Sequence, residues 1–239
     1  MIAARQIAFG RGGKRLPYDA EVEYLESTGT QYIDTGYVMK SLTKYKIDFS
    51  CTSSSSASKM FFGMYSLRSA DGIIRPQRDN FAANCAGSWA GANASLYIYS
   101  YPIDTSSSPF PGNPQAFLCN ITQKVGETNT VEYDGGRVLF NGIEVLNAPS
   151  VMPDNIFNIP AYLFAAAVRQ ADTSVQAGYY YEGRIMSVEI WDEQYNKVRD
   201  LIPVRVGSVG YMYDKVSGQL FGNQGTGAFI IGDDIKEAL

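Results

Sequence analysis

The chain has 239 residues, of which 45% are hydrophobic, so it is long enough to bury a full core within a single domain. Its formal net charge of −4 argues against nucleic acid as the main partner, because a surface that contacts phosphates is normally basic. The chain contains no histidine, which excludes Ser-His-Asp catalysis, Cys-His catalysis and histidine-ligated metals.

Residues 1–19 are predicted to form a basic arm ahead of the folded domain. The segment holds several glycines and shows no sustained hydrophobic periodicity, so we expect it to pack poorly on its own. Two interpretations stay open: a disordered tail, or an anchor that orders against a neighbouring subunit or an acidic particle surface. Its basic side chains, which all precede the first acidic residue, are Arg5, Arg11, Lys14 and Arg15.

The cysteines and the start of the chain give little sign of export. Cys51, Cys85 and Cys119 lack the paired spacing of a disulfide framework or a zinc site, and we expect reduced, buried thiols. Residues 1–4 are too short an apolar run for a secretory signal, and no later stretch approaches the roughly 20 apolar residues of a membrane span. The sequence therefore predicts synthesis in the cytoplasm.

The first half of the chain is predicted to form strands separated by polar loops. Residues 21–36 read as a strand, a Ser-Thr-Gly turn and a second strand, and residues 60–65 as a buried strand. Residues 43–51 alternate most clearly. Their apolar face comprises Tyr45, Ile47, Phe49 and Cys51, and their wet face comprises Lys44, Lys46, Asp48 and Ser50.

The middle of the chain continues the strand pattern. We expect a short strand over residues 80–86, and another over residues 95–101 with Leu96 and Ile98 toward the core. Tyr97, Tyr99 and Tyr101 then form a stripe on the opposite face. Residues 128–145 predict two successive hairpins, because Asn141-Gly142 suits a type I′ turn in which both central positions need φ > 0.

The last third is predicted to contain the central strand of the fold. Residues 162–166 read as one fully buried strand and residues 169–177 as an exposed loop. In residues 183–192, Met186, Val188 and Ile190 fall on the buried face, and Ser187, Glu189 and Trp191 fall on the other. Short apolar runs follow through Phe229, and the chain ends in a short charged tail over residues 233–239.

Two segments also resemble a known family. Residues 23–36, Glu-Tyr-Leu-Glu-Ser-Thr-Gly-Thr-Gln-Tyr-Ile-Asp-Thr-Gly, and residues 183–229 resemble the laminin-G-like, concanavalin A-type jelly-roll domains of bacteriophage and prophage structural proteins from gut bacteria. The resemblance implies an all-β, two-sheet antiparallel sandwich over residues 20–232, with residues 21–36 as its first strand pair. It further implies a place on a virion or at a cell surface.

A polysaccharide hydrolase is the enzymatic alternative, since glucanases of this fold carry a Glu-x-Asp-x-Glu strand. The nearest match, residues 189–193, places Asp192 on the face opposite Glu189 and leaves Glu189 and Glu193 about 13 Å apart if extended. A retaining site needs carboxyl groups about 5 to 5.5 Å apart. In residues 21–26, the i, i+2 pair Glu21 and Glu23 reads as a solvated edge, so we predict a protein without enzymatic activity.

Sugar binding, unlike hydrolysis, needs no pair of closely spaced carboxylates. Exposed aromatic rings can stack on a sugar while carboxamides and carboxylates bind its hydroxyls. The predicted ligand-binding residues are Trp89, Tyr97, Tyr99, Tyr101, Tyr179, Tyr181 and Trp191. Related domains often hold Ca²⁺ in loops, and the loop oxygens of that kind belong to Asp71, Asp79, Asn80 and Asp104. Because these residues form no dense Asp-x-Asp cluster, we predict no bound cofactor and keep calcium as the alternative.

These observations predict a non-enzymatic virion protein: a capsid decoration, head fibre or tail-tip component that displays a lectin-like jelly roll and binds surface or mucus glycans. Its expected partners are other virion proteins or copies of itself, contacted through the N-terminal arm in a homo-oligomer. Without a signal peptide, it would be made in the host cytoplasm. The alternative functions are a carbohydrate-binding lectin domain on a host cell surface and, less favoured, the hydrolase.

Overall fold

The computed structural model describes residues 16–40, 43–52, 58–66, 81–87, 93–99, 121–134, 137–147, 158–170 and 174–237, and all statements of structure concern these residues. They form strands and no helix. The strands are β1 (Ala20–Val22), β2 (Leu25–Thr28), β3 (Ile33–Val38), β4 (Lys44–Cys51), β5 (Ser58–Ser66), β6 (Phe81–Gly87), β7 (Asn93–Tyr99), β8 (Ile121–Lys124), β9 (Asn129–Asp134), β10 (Arg137–Phe140), β11 (Ile143–Asn147), β12 (Pro160–Leu163), β13 (Ala166–Arg169), β14 (Val175–Gly178), β15 (Glu182–Trp191), β16 (Lys197–Val206), β17 (Val209–Asp214), β18 (Gln219–Phe221), β19 (Ile230–Ile231) and β20 (Asp234–Glu237). Nothing in the described ranges is a helix of the length and apolarity needed to cross a membrane.

The strands form two sheets that pack face to face, which confirms the predicted all-β sandwich. The first sheet has 12 strands, with the order β11-β10-β9-β4-β15-β16-β1-β20 and with β2, β17, β18 and β19 attached beside this path. The second sheet has 8 strands, with the order β14-β13-β5-β6-β7-β8 and with β12 and β3 attached through β5. Among the described pairings, β13 with β5 is parallel and the others are antiparallel.

The core lies between β4 and β15 of the first sheet and β5 of the second. The predicted apolar face of β4 is confirmed, since Tyr45, Ile47, Phe49 and Cys51 are all buried. The Phe49 ring stacks on the Phe61 ring of β5, with centroids 4.2 Å apart. Aromatic pairs of this kind add to the stabilisation that comes from burying apolar area.

The central strand β15 differs from its prediction at one point. Its register with β4 shifts between Ile185 and Ser187, so an extra residue interrupts the alternation. Ile185 is buried in the core, whereas Met186 is half-buried outside it, and the prediction for Met186 is wrong. After the bulge, Val188 and Ile190 face the core as predicted.

Residues 162–166 form parts of two strands instead of the single predicted strand. All are buried, but Phe164 adopts φ 62° between β12 and β13. The Phe164 N–H donates to the Phe61 carbonyl over 2.9 Å, and the Phe164 carbonyl accepts from the Tyr181 N–H over 2.9 Å. The chain therefore reverses inside the core, and β13 runs parallel to β5 while β12 runs antiparallel to it.

The strand pairing near both ends of the chain differs from the prediction. β2 and β3 do not pair: β2 pairs with β15 and β19 in the first sheet, and β3 pairs with β12 in the second. Residues 234–237, predicted as part of a charged tail, form β20 against β1. The predicted hairpin of β10 and β11 is confirmed, with Asn141 at φ 50° and Gly142 at φ 77°.

Candidate functional site

A cleft of about 540 Å³ opens where the turn before β3, the loop before β19 and the strand β14 meet. We call it the tyrosine cleft, after the two rings that line it. Its lining residues are Thr30, Tyr32, Val175, Gln176, Ala177, Tyr180, Gln224, Gly225 and Thr226. None of these side chains is charged, so the cleft is built from aromatic, carboxamide and hydroxyl groups.

The Tyr32 ring is held in place by two other tyrosines. It stacks on Tyr162, with centroids 4.9 Å apart and an interplanar angle of 29°, and it meets the edge of Tyr180 at 6.2 Å. Burial raises the pKa of the Tyr32 hydroxyl, with smaller contributions from Tyr180 and Asp34. Tyr32 therefore keeps a neutral hydroxyl, able to donate and accept, throughout the physiological range.

The wall opposite β14 is a loop that is fastened to the turn before β3. The Gln224 N–H donates to the Tyr32 carbonyl over 2.8 Å, and the Thr226 N–H donates to the Thr30 carbonyl over 3.1 Å. The Thr30 hydroxyl donates in return to the Thr226 carbonyl over 2.9 Å. A Cβ at Gly225 would lie 2.0 Å from the Thr30 carbonyl oxygen, so only glycine permits this approach.

The polar side chains of the cleft are available to a ligand. The Gln176 and Gln224 side chains are exposed, and among the described residues their carboxamides make no hydrogen bond. Each carboxamide offers two donors and one acceptor beside the tyrosine rings. A rigid apolar surface flanked by a few free polar groups is the usual composition of a small-molecule site.

In residues 179–181, the tyrosine that lines the cleft is Tyr180 and not the predicted Tyr179 or Tyr181. Tyr179 is 40% exposed but does not line the cleft. Tyr181 is only 1% exposed, and its hydroxyl donates to the Cys51 sulfur over 3.4 Å, so its assignment to an exposed surface is wrong. The cause lies in β15: the bulge between Ile185 and Ser187 reverses the alternation, so Tyr181 lies on the buried face with Gly183 and Ile185.

The other predicted ligand-binding residues lie elsewhere in the structure or outside the described ranges. Trp191 is half-buried near the end of β15, with the Lys197 ammonium 5.3 Å from its ring, and does not line the cleft. Tyr97 and Tyr99 lie on β7, and their assignment stays a prediction. The predicted residues outside the described ranges are Trp89, Tyr101, the arm residues Arg5, Arg11, Lys14 and Arg15, and the calcium candidates Asp71, Asp79, Asn80 and Asp104.

Tyr32 and Tyr180 were not among the predicted ligand-binding residues, and only Tyr32 had a partial signal in the sequence. Tyr32 lies two residues after the Thr-Gly-Thr turn at residues 28–30, and residues 225–227 read Gly-Thr-Gly. Gly225 allows the backbones of the two segments to approach, and that contact forms the wall of the cleft. Which two turns would meet is a property of the folded chain alone.

Two of the carboxylates considered for hydrolysis, Glu189 and Asp192, are engaged with other groups. Glu189 lies 2.5 Å from the Lys197 ammonium. The Asp192 carboxylate accepts from the backbone N–H groups of Gln194 and Asn196 and from the Asn196 carboxamide, and these hydrogen bonds lower its pKa. In the described part of the chain, no group of three or more Cys, Asp or Glu side chains is arranged to hold a metal ion.

No protein-family model and no curated protein matches the chain. Several solved structures do match it in fold. The crystal structure of a candidate carbohydrate-binding protein from Bacteroides ovatus ATCC 8483 aligns over 93% of this chain with a TM-score of 0.50 and 9% identity. The chain spans 62% of the length of that protein. A heptameric SAP-like pentraxin from Limulus polyphemus aligns over 91% of this chain and 96% of its own, with a TM-score of 0.47 and 12% identity.

Proposed function

We propose that this protein is a lectin-like module that binds a neutral glycan in the tyrosine cleft and performs no catalysis. The observation that carries the proposal is the meeting of Tyr32 and Tyr180 with the unpartnered carboxamides of Gln176 and Gln224. The lectin-like sandwich and the Bacteroides protein described as a candidate carbohydrate binder add support at the level of fold.

The ligand chemistry follows from the groups that line the cleft. The C–H face of a sugar ring packs on a tyrosine face, because the apolar hydrogens meet the electron-rich side of the ring. The carboxamides of Gln176 and Gln224 then donate to and accept from the ring hydroxyls. Since no lining residue is charged, a neutral hexose suits the cleft better than a sugar acid.

The cleft is preorganised, which favours binding of a ligand that makes only a few contacts. The backbone hydrogen bonds between residues 30–32 and residues 224–226 fix one wall, and the stack on Tyr162 fixes the Tyr32 ring. Binding therefore orders few new groups, and less free energy is lost on association. Single sites of this size still bind sugars weakly, so multivalent display would raise the affinity for a polymer.

We assign the display to the surface of a phage virion, as a decoration, head-fibre or tail-tip protein. The support is the resemblance of residues 23–36 and 183–229 to phage structural domains, together with the basic arm before the sandwich. The arm would contact other virion proteins or further copies of the chain. Mass spectrometry of purified virions tests this: peptides of the protein in the particles are expected, and their presence only in host envelopes would favour the cell-surface lectin.

Glycan binding is tested with the full-length protein and one substitution in the cleft. Wild-type protein is expected to bind neutral glycans on an array, and Tyr180→Ala to weaken binding to the best of them by about three- to tenfold, because one stacking partner is lost. Tyr195→Ala is the matched control, since Tyr195 is 68% exposed and does not line the cleft. Equal affinity of wild type and Tyr180→Ala, or no binding to any neutral glycan, would contradict the proposal.

The absence of catalysis has its own test. Incubation with polysaccharides is expected to release no reducing ends, because the Glu189 and Asp192 carboxylates are held by Lys197 and by the turn at residues 192–196. Release that disappears in Glu189→Gln would show a hydrolase instead.

A further inference from the structure

A second cavity, of about 410 Å³, lies on the outer face of the first sheet. It forms where β4, β15 and the segment before β2 meet the turn after β8. We call it the arginine pocket. Its lining residues are Glu23, Tyr24, Ser50, Gly126, Thr128, Arg184 and Met186, and it shares none of them with the tyrosine cleft.

Ser50 is the buried polar group of this pocket. Its neighbours Phe49 and Cys51 face the core, so the Ser50 side chain points to the outer face, opposite Arg184 in the register of β4 and β15. Ser50 is nevertheless only 2% exposed, and its hydroxyl has no hydrogen-bond partner among the described residues. A buried hydroxyl without a partner lowers the stability of the fold, and a ligand that supplied the missing hydrogen bond would remove that cost.

Arg184 is held rigidly with its outer nitrogens free. Its Nε–H donates to Glu26 Oε2 over 2.6 Å, and its guanidinium carbon lies 4.1 Å from the centroid of the Tyr24 ring. These two contacts fix the plane of the guanidinium. In the described ranges the Nη groups make no hydrogen bond, so their N–H donors are available to a ligand.

The acidic side chains decide which ligand the pocket accepts. Glu26 compensates the charge of Arg184, and Glu23 adds a second carboxylate that makes no ion pair or hydrogen bond within the described part of the chain. The pocket therefore has no net positive charge to attract an anion. It does place free N–H donors beside a free carboxylate acceptor, and neighbouring hydroxyl groups can satisfy both at once.

We infer that the arginine pocket is a second binding site, for a neutral compound with adjacent hydroxyl groups such as an unmodified hexose. One hydroxyl accepts from the Arg184 Nη groups, its neighbour donates to Glu23, and the Ser50 hydroxyl completes the set. Recognition is polar, because the Arg184 guanidinium already covers one face of the Tyr24 ring. The site differs in this respect from the tyrosine cleft, and it does not depend on ligand binding there.

The test is a titration of isotope-labelled, full-length protein with D-glucose, D-galactose and D-mannose, followed by NMR. Binding of at least one hexose is expected to shift the amide signals of Ser50, Gly126 and Arg184. Shifts at Gln176, Gly225 and Thr226 would report the tyrosine cleft separately. Unchanged signals at the arginine pocket with all three hexoses would overturn the inference, whatever happens at the cleft.

The substitution Ser50→Ala distinguishes an effect on hexose binding from an effect on stability. We expect it to weaken hexose binding at this pocket about fivefold by loss of one hydrogen bond, while stability stays equal or rises slightly because an unpartnered hydroxyl is removed. Ser187→Ala is the matched control on the same outer face, because its hydroxyl does have a partner, Asp48 Oδ2 at 2.6 Å. Ser187→Ala should lower stability and leave the hexose affinity unchanged. Undiminished hexose affinity in Ser50→Ala would refute the role of Ser50.

Two further arms test the ligand class. Arg184→Lys keeps a positive charge near Glu26 but loses the planar pair of Nη donors, so hexose shifts at the pocket should weaken strongly. D-glucuronate should bind no better than D-glucose. Tighter binding of the sugar acid, lost in Arg184→Lys, would show that the pocket recognises an anion and would overturn the proposed neutral ligand.

Discussion

The two faces of β4 and β15 use the same backbone for different purposes. On the inner face, Phe49 and Ile47 are fully buried against the second sheet. On the outer face, alternate residues of the same strands form ion pairs or line the arginine pocket. The comparison shows that the fold is stabilised from one side of these strands, which leaves the other side available for binding.

The ion pairs of the outer face contribute little by themselves. Lys46 and Glu132 lie 3.4 Å apart with more than a third of each side chain exposed, and such pairs are screened by water and salt. A substitution on the outer face should therefore change stability much less than one on the inner face. Four predictions test this contrast, in order of expected effect.

Phe49→Ala should have the largest effect, lowering the free energy of unfolding by about 3 to 5 kcal/mol. The substitution removes a buried ring that stacks on Phe61 and leaves a cavity between the sheets. Urea unfolding followed by fluorescence measures the change, and Phe49→Leu should recover most of the loss. A loss below about 1 kcal/mol would mean that the sheets do not depend on this contact.

Gly183→Ala should cost about 1 to 3 kcal/mol, because the strand has no room for a side chain here. An added Cβ would lie 2.4 Å from the Tyr181 ring and 2.5 Å from the Ser50 carbonyl oxygen, so β4 and β15 would have to separate. Gly207→Ala is the control, because its Cβ would meet nothing within 4 Å and only its left-handed φ of 59° opposes the change. Gly207→Ala thus measures the cost of backbone strain without a clash, and a loss well below about 1 kcal/mol in Gly183→Ala would show that the strands have room for a side chain.

Alkaline pH should weaken the core through the buried Tyr162 of β12, which lies in the sheet that the inner face packs against. Burial, followed by the charges of Asp34 and Tyr32, raises the pKa of Tyr162 from 10.0 to about 12. A raised pKa stabilises the folded state fully below the unfolded value and less as pH rises from 10 toward 12, because the unfolded chain loses its proton first. The loss should reach roughly 1 kcal/mol by pH 11 for this residue. Urea midpoints at pH 9, 10 and 11 measure it, and Tyr162→Phe should show a smaller decline; an identical decline would contradict the assignment.

Lys46→Ala should change the free energy of unfolding by no more than about 0.5 kcal/mol, since it breaks one exposed ion pair. The same denaturation assay in low and high salt measures the effect, which should shrink further in high salt. A loss comparable to that of Phe49→Ala would remove the distinction between the two faces.

The candidate site was harder to predict than the core. The buried face of β4 was read correctly, because alternate apolar residues report burial directly. The same rule, extended back from Val188, predicts an exposed Tyr181, whereas the bulge between Ile185 and Ser187 puts this residue on the buried face. The same bulge explains the wrong prediction for Met186, because it shifts the strand by one residue.

The sequence by itself determined the all-β class, most of the strands and the β10–β11 turn, because alternation and the Asn-Gly pair act over a few neighbouring residues. Only the tertiary structure decided that β2 and β3 lie in different sheets and that β20 pairs with β1. It also decided that residues 30–32 meet residues 224–226 and that Ser50 lies across from Arg184. These contacts join residues far apart in the chain, and their partners are chosen by the packing of the whole sandwich.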